Sequence, residues 1–278
     1  MLEDQRYILN RILDLLDDGR SDAVLIAGDV YDRANPTADA MELLDEFLNA
    51  LAQRGVCTMI ISGNHDSPER LAYARRFLEN RNIHISPVYN GYIEPIVLSD
   101  AYGEVCFWLM PYVHLDSVGG FFADQTIRNA QDAAQAVIGE MRVDPNKRNV
   151  ILSHQFIIGG TTSDSERRNI GTLENVDAAL YDAFDYVALG HLHRPQNVGR
   201  ADGTMRYCGT PLVYSRMEMD AEKSVTMVEL GEKGKVAVHM RPLTPRRKVR
   251  LIRDAFDTLE QTGPEAGTED DYYFIADG

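Results

Sequence analysis

Four short polar clusters each follow an apolar run, and each carries residues able to bind ions or move protons. Gly28-Asp29-Val30-Tyr31-Asp32 follows Val24-Leu25-Ile26-Ala27, and Ser62-Gly63-Asn64-His65-Asp66 follows Cys57-Thr58-Met59-Ile60-Ile61. Ser153-His154 follows Val150-Ile151-Leu152, and Gly190-His191-Leu192-His193 follows Tyr186-Val187-Ala188-Leu189. Carboxylate, amide oxygen and imidazole together suit borderline divalent metals such as Mn²⁺, Fe²⁺ or Zn²⁺. Asp29 has two oxygens and could bridge two ions; Asn64 offers a neutral oxygen; His154, His191 and His193 offer nitrogens. His191 and His193 lie two apart at a strand-to-loop break, so they can reach neighbouring ions in different directions. Two ions about 3.5–4 Å apart clamp the attacking and leaving oxygens of a phosphoryl transfer. His65 stands beside a ligand and could protonate the leaving oxygen or stabilise phosphate charge. Asp66 could then hold its imidazole. Asp32 reads equally as an outer partner of Asp29 and as a turn or capping residue beside Asn35-Pro36. One such cluster alone reads as a turn; four in chain order, each at a strand end, read as one site. His84, His114 and His239 follow no such pattern and read as structural or surface residues.

Convergence requires a sheet whose strands end on one edge, where open α/β sheets place their ligands. The spacing predicts a helix over 3–18, with Ile8, Ile12, Leu15 and Leu16 on one face and Gly19 as its stop. Strands are expected at 24–27, 57–61, 83–85, 93–98, 105–110, 149–153 and 186–189. Pro36 and Pro68 suit first helical positions. The first helix would run to Gly55 with Met41, Leu44, Leu48 and Leu51 buried, the second to about 81. A further helix is expected over 124–142, with Ala133, Ala136, Val137 and Met141 inward. Beyond His193 the chain turns strand-rich (205–208, 224–230 and 236–240, with a turn at 232–234). Strand–helix alternation followed by strands predicts an α/β fold with two layered sheets. The stretch 157–174 has no periodicity and reads as a functional loop. After Leu243, ten residues carry five Lys or Arg, and 254–278 carry eight acidic residues and no Lys or Arg. A domain boundary is therefore expected near 242–245.

The chain has 278 residues, 44% hydrophobic, with a formal net charge of −15. That length suits one large domain, or one domain with a small appendage. An acidic surface repels polyanions at long range, so nucleic-acid contact needs local basic residues: Arg167, Arg168, Arg206, Arg216 and the 246–253 run are candidates. Tyr31 and Tyr214 are possible substrate-facing residues. Cys57, Cys106 and Cys208 sit singly in apolar runs and read as reduced core thiols. No 18-residue apolar run exists and the first residues are not a signal peptide. A cytoplasmic protein without a membrane span is expected.

Gly28-Asp29-x-x-Asp32, Gly63-Asn64-His65-Asp66, His154 and Gly190-His191-x-His193 together resemble the signature of the calcineurin-like metallophosphoesterases. The closer resemblance is to the SbcD-type nuclease subunits. It is carried also by Leu2-Glu3-Asp4-Gln5, Thr162-Ser163-Asp164-Ser165-Glu166-Arg167, Gly209-Thr210-Pro211-Leu212-Val213-Tyr214-Ser215, Glu222-Lys223-Ser224-Val225-Thr226 and residues 24–33, 185–195 and 243–251. The resemblance implies a four-layer α-β-β-α sandwich over 1–243 and the start of a small α+β DNA-capping domain over 244–278. It implies Mn²⁺-dependent cleavage of DNA phosphodiesters in break or hairpin processing and recombination. The implied assembly is with the SMC-like ATPase SbcC, as a homodimer within a heterotetramer. By the same similarity Asp29, Asn64, His154 and His191 hold one ion, Asp29 and His193 hold the other, and His65 is the catalytic histidine. The metal motifs alone do not exclude a metallophosphoesterase acting on small phosphodiesters or nucleotides, against which the start of the capping domain and the loop Thr162–Arg167 argue, and a non-catalytic module is a third reading.

One departure stands out. The family opens with a strand ending in Asp-x-His, both ligands of the second ion, whereas here a helix comes first and Asp-x-His occurs nowhere. The expectation is a family member cut at both ends that binds one ion well and a second weakly, with weak or no nuclease activity and an unpaired sheet edge beside 24–27.

Overall fold

The computed structural model describes residues 1–163, 174–253, 268 and 270–276. Strands β1 (Ala23–Ala27), β2 (Cys57–Ile61) and β3 (Ile83–Ile85) form a parallel sheet in that order. A six-stranded sheet follows. It is built from β4 (Ile96–Asp100), β5 (Gly103–Leu109), β6 (Arg148–Ser153), β9 (Tyr186–Leu189), β10 (Gln196–Asn197) and β11 (Met205–Tyr207). Its spatial order is β10-β11-β9-β6-β5-β4, parallel at the centre and antiparallel at both edges. Short β7 (Phe156–Ile157) and β8 (Asn175–Val176) pair with each other, as do the hairpin strands β12 (Ser224–Leu230) and β13 (Val236–Pro242). The parallel pair β14 (Val249–Arg253) and β15 (Tyr272–Ala276) follows.

The helices cover the outer faces. These are α1 (Leu2–Gly19), α2 (Ala38–Arg54), α3 (Pro68–Leu71), α4 (Arg75–Leu78), α5 (Leu115–Val118) and α6 (Ala130–Glu140). Side-chain alternation along β2 sorts the layers. Met59 and Ile61 point into a core shared with Val105, Phe107, Leu109, Val150 and Leu152 of the second sheet, while Ile60 packs with Leu71, Ile83 and Ile85 on the helix side. α1 and α2 meet Val24 and Ile26 of β1 through Leu13, Phe47 and Leu51. On the far face of the second sheet, Trp108, Ile151 and Val187 pack against Ala133, Ala134, Ala136 and Val137 of α6. The layers are α, β, β, α, as expected, with the hairpin β12–β13 adding Val228, Leu230, Val236 and Val238 to the intersheet core. Among the described residues β1 pairs with β2 as its one strand neighbour, so its other edge has no strand partner.

Several boundaries move for local reasons. α2 starts at Ala38, two residues after Pro36, because the Thr37 side chain accepts the Ala40 amide and caps it. Its buried stripe is Leu43, Phe47 and Leu51, and Met41 lies outside. The helix expected over 68–81 is broken into α3, α4 and a 3-10 turn; Leu71 is the one buried residue of α3 and α4, too little apolar face to hold a long straight helix. β4 begins after Pro95, whose missing N–H cannot serve the ladder. α6 starts only at Ala130, capped by Asn129. Arg20 rather than Gly19 takes the left-handed position that ends α1. Cys57 and Cys106 are buried, whereas Cys208 is only half-buried.

Candidate metal centre

The strand ends converge as the sequence requires. β1 delivers Asp29, β2 delivers Asn64, β6 delivers His154, and β9 delivers His191 and His193. Asp29 and His191 hold left-handed backbone conformations, φ 49° and 94°, which residues with a Cβ seldom adopt. Such conformations concentrate where a site fixes them. The turns are close-packed. A Cβ at Gly190 would overlap the Ala27 carbonyl oxygen and lie 2.6 Å from His154 Nδ1, and one at Gly63 would overlap the Asp29 carboxylate.

His154 is fully buried and its Nδ1 donates to the Ala27 carbonyl at 2.6 Å. Its Nε2 then faces inward, 3.1 Å from Asn64 Oδ1 and 3.1 Å from Asp29 Oδ2. His191 Nδ1 lies 2.9 Å from Asn64 Oδ1. Asp29, His154 and His191 present ligand atoms all within 4.8 Å of one another. Ligands about 2.1 Å from an ion in octahedral geometry stand about 3 Å apart, so these spacings fit a divalent cation. Burial pushes the Asp29 carboxyl up, but the charge and hydrogen bond of His154, with the His65 amide, hold it down to about 2. Burial disfavours a charged His154, yet Asp29 and the Ala27 carbonyl raise it above the ordinary imidazole value. Burial, then the charge of His154, pushes His191 down to about 3 and keeps it neutral. A cation bound here would be held by Asp29, His154 and His191, and binding would require His154 to give up its second ring proton.

His193 stands apart from that trio. Its Nδ1 is 3.1 Å from Oε1 of Glu218, a fully buried carboxylate paired with Lys223 Nζ at 2.7 Å. Burial pushes Glu218 up, but His193 and Lys223 bring it down to about 2. Sequence reasoning missed this pair. Its only signal was that Lys223 falls within 222–226, a stretch that belongs to the resemblance with no chemistry assigned to it.

The role expected for Asp66 is corrected. His65 Nδ1 donates to the Asp32 carbonyl at 2.9 Å. The Asp66 carboxylate instead accepts three backbone amides, Val30 at 3.1 Å, Tyr31 at 2.9 Å and Gly63 at 2.8 Å. It staples the β1 turn to the β2 turn, and burial raises its carboxyl in spite of those amides. Asp32 acts through its main-chain oxygen; its side chain is exposed and pairs with Arg33 at 3.0 Å.

Several basic candidates are also corrected. Arg206 is buried, its Nη1 donating to Asn197 at 2.6 Å. Arg246 pairs with Glu3, Arg247 with Asp4 and Arg250 with Asp271. Arg216 is exposed. Arg167, Arg168 and most of the 157–174 loop lie outside the described residues. Tyr214 stands edge-on to His193 with ring centroids 6.5 Å apart, and its hydroxyl accepts from Gln5 at 3.3 Å; Tyr31 is half-buried beside Asp66.

A family model described as calcineurin-like phosphoesterase matches residues 2–195. The chain belongs to that family. Its SbcD branch is shown by two curated relatives, each the SbcD component of the nuclease SbcCD, from Staphylococcus saprophyticus and Staphylococcus epidermidis. Each is 33% identical, over 276 and 277 residues respectively, covering 98% of this chain and 72% of the relative. As in other calcineurin-like phosphoesterases, a divalent-metal centre is implied, and the donor set of this chain fits it. No helix among the described residues is long and apolar enough to cross a membrane.

Proposed function

We propose that this chain is the nuclease subunit of a complex with an SMC-like ATPase of the SbcC type, hydrolysing DNA phosphodiesters with Mn²⁺ during break or hairpin processing and recombination. The convergence of Asp29, Asn64, His154 and His191 carries the reading, and the likeness to SbcCD nuclease components directs it to DNA. Those four residues would hold one ion; Asp29 and His193 would help to hold a second. When bound, such ions polarise the phosphodiester and activate the attacking water. His65, with Nδ1 committed to the Asp32 carbonyl, would as the imidazolium give the proton on Nε2 to the leaving oxygen and end as the neutral ring. Asp66 supports this indirectly by fixing both turns.

Residues 1–243 would form the nuclease unit, and the strands after 244 would begin a DNA-capping unit. The exposed Met41, Tyr73 and Phe77 on the α2–α4 face suit a homodimer contact within a heterotetramer. The cytoplasm is the proposed compartment. The test compares linear double-stranded DNA with bis-p-nitrophenyl phosphate under Mn²⁺, with and without an SbcC-type ATPase. DNA cleavage that depends on His65 supports the proposal. Turnover of the small ester alone favours a phosphodiesterase of small substrates or nucleotides, and metal binding without any hydrolysis favours an interaction module.

A further inference from the structure

We propose that Glu218 is a positioning residue: it fixes the tautomer and orientation of His193, and Lys223 locks it there. This rests on the reading of His193 as a metal ligand. Glu218 ends a short 3-10 turn, Arg216–Glu218, and is fully buried. Its Oε1 faces His193 Nδ1 at 3.1 Å and accepts Ser215 Oγ at 2.7 Å; its Oε2 accepts Lys223 Nζ at 2.7 Å. Lys223, 6% exposed, also donates to the His193 carbonyl at 2.9 Å and to Thr210 Oγ1 at 2.8 Å. The pair therefore grips His193 twice, by ring and by main chain. Thr210 ties the same knot, its amide donating to the His193 carbonyl at 3.1 Å.

An ionised carboxylate only accepts hydrogen bonds. The ring nitrogen that faces it carries the proton, and the lone pair moves to Nε2. Ligand histidines are commonly set this way by a carboxylate behind them. A buried Glu–Lys pair is a poor source of stability, since an apolar pair of the same size often serves as well or better. Its position directly behind one site histidine gives it a different use. Lys223 makes that use possible, because it keeps Glu218 ionised without competing for Oε1.

The test is long-range ¹H–¹⁵N correlation NMR of the His193 ring in the metal-free full chain, with Mn²⁺ binding followed in parallel by electron paramagnetic resonance. The native ring is expected to carry its proton on Nδ1. Glu218→Gln retains an acceptor and should keep that tautomer. The double variant Glu218→Ala/Lys223→Met, which leaves no buried charge unpaired, should move a large fraction of the proton to Nε2. It should also raise the Mn²⁺ concentration that half-fills the site served by His193 by roughly 10–100-fold, with the site of Asn64, His154 and His191 unchanged. A native ring protonated on Nε2, which needs no variant to detect, overturns the proposal, as does an unaltered tautomer in the double variant. A tautomer that shifts with no change in Mn²⁺ binding upholds Glu218 as the orienting group and removes His193 from the metal site.

Discussion

Replacing Asp66 by Asn separates two roles for one carboxylate. A group that only orients His65 would lose turnover and leave stability alone. The structure instead gives Asp66 three backbone amides, two on Oδ2 (Val30 and Gly63) and one on Oδ1 (Tyr31). An Asn side chain has one oxygen. Placed at the Oδ2 position it keeps Val30 and Gly63, and its NH₂ then opposes the Tyr31 N–H. A hydrogen bond to a charged group contributes about 1.5–3 kcal/mol, and the half-buried Tyr31 amide is left facing another donor. Asp66→Asn should therefore cost about 3 kcal/mol. At roughly 2–4 °C per kcal/mol for a chain of this size class, Tm falls by ~6–12 °C. Since the same amides hold Gly28–Tyr31 against Gly63, Mn²⁺ affinity should fall with stability. Circular-dichroism melts and a Mn²⁺ isotherm, run on the same preparation, read both. An unchanged Tm with normal Mn²⁺ binding and lost turnover would refute the staple and return Asp66 to a purely catalytic role.

Four other substitutions probe the frame. The Arg247 hydrogen bond, opposed by burial and joined by Tyr272, holds Asp4 at about 2. The ionised form is thus favoured in the fold, and its contribution of about 2 kcal/mol is present above the unfolded value of 3.8 and lost as pH falls through 2; Tm of Asp4→Asn should be lower at pH 5 and converge on native near pH 2. Gly190→Ala drives a methyl into the Ala27 carbonyl and toward His154, so Mn²⁺ binding measured by isotherm should weaken at least about tenfold, with overpacking costing about 1–3 kcal/mol in a melt. Arg216→Ala should lower the salt dependence of DNA binding by about one phosphate contact, whereas Arg206→Ala, buried on Asn197, should change stability without changing that slope in a filter-binding series.

Much of this was legible in the sequence because apolar runs closed by Gly and a polar residue have few alternatives to a buried strand. Residues 57–61, 83–85, 186–189 and 224–230 form strands over those same limits. The donors at the ends of such strands were legible for the same reason, and Asp29, Asn64, His154 and His191 do meet. What was not legible is long-range. Asp66 looks like a neighbour of His65 because it is one in sequence, yet two of its three amide partners lie 35 and 36 residues away. Arg206 and the 246–250 arginines look like a basic surface until the fold brings Asn197, Glu3, Asp4 and Asp271 to them. The Glu218–Lys223 pair carries no spacing signal, since it is defined by burial and by a histidine 25 residues earlier.

The most direct test of the metal centre is Mn²⁺ binding to the native chain and to Asp29→Asn and His154→Gln, by isothermal titration with elemental analysis after desalting. The account predicts a tightly held ion in the native chain, loss of that ion in both variants, and a folded state in both by circular dichroism. Unchanged tight binding in both variants, or none in the native chain, would contradict it.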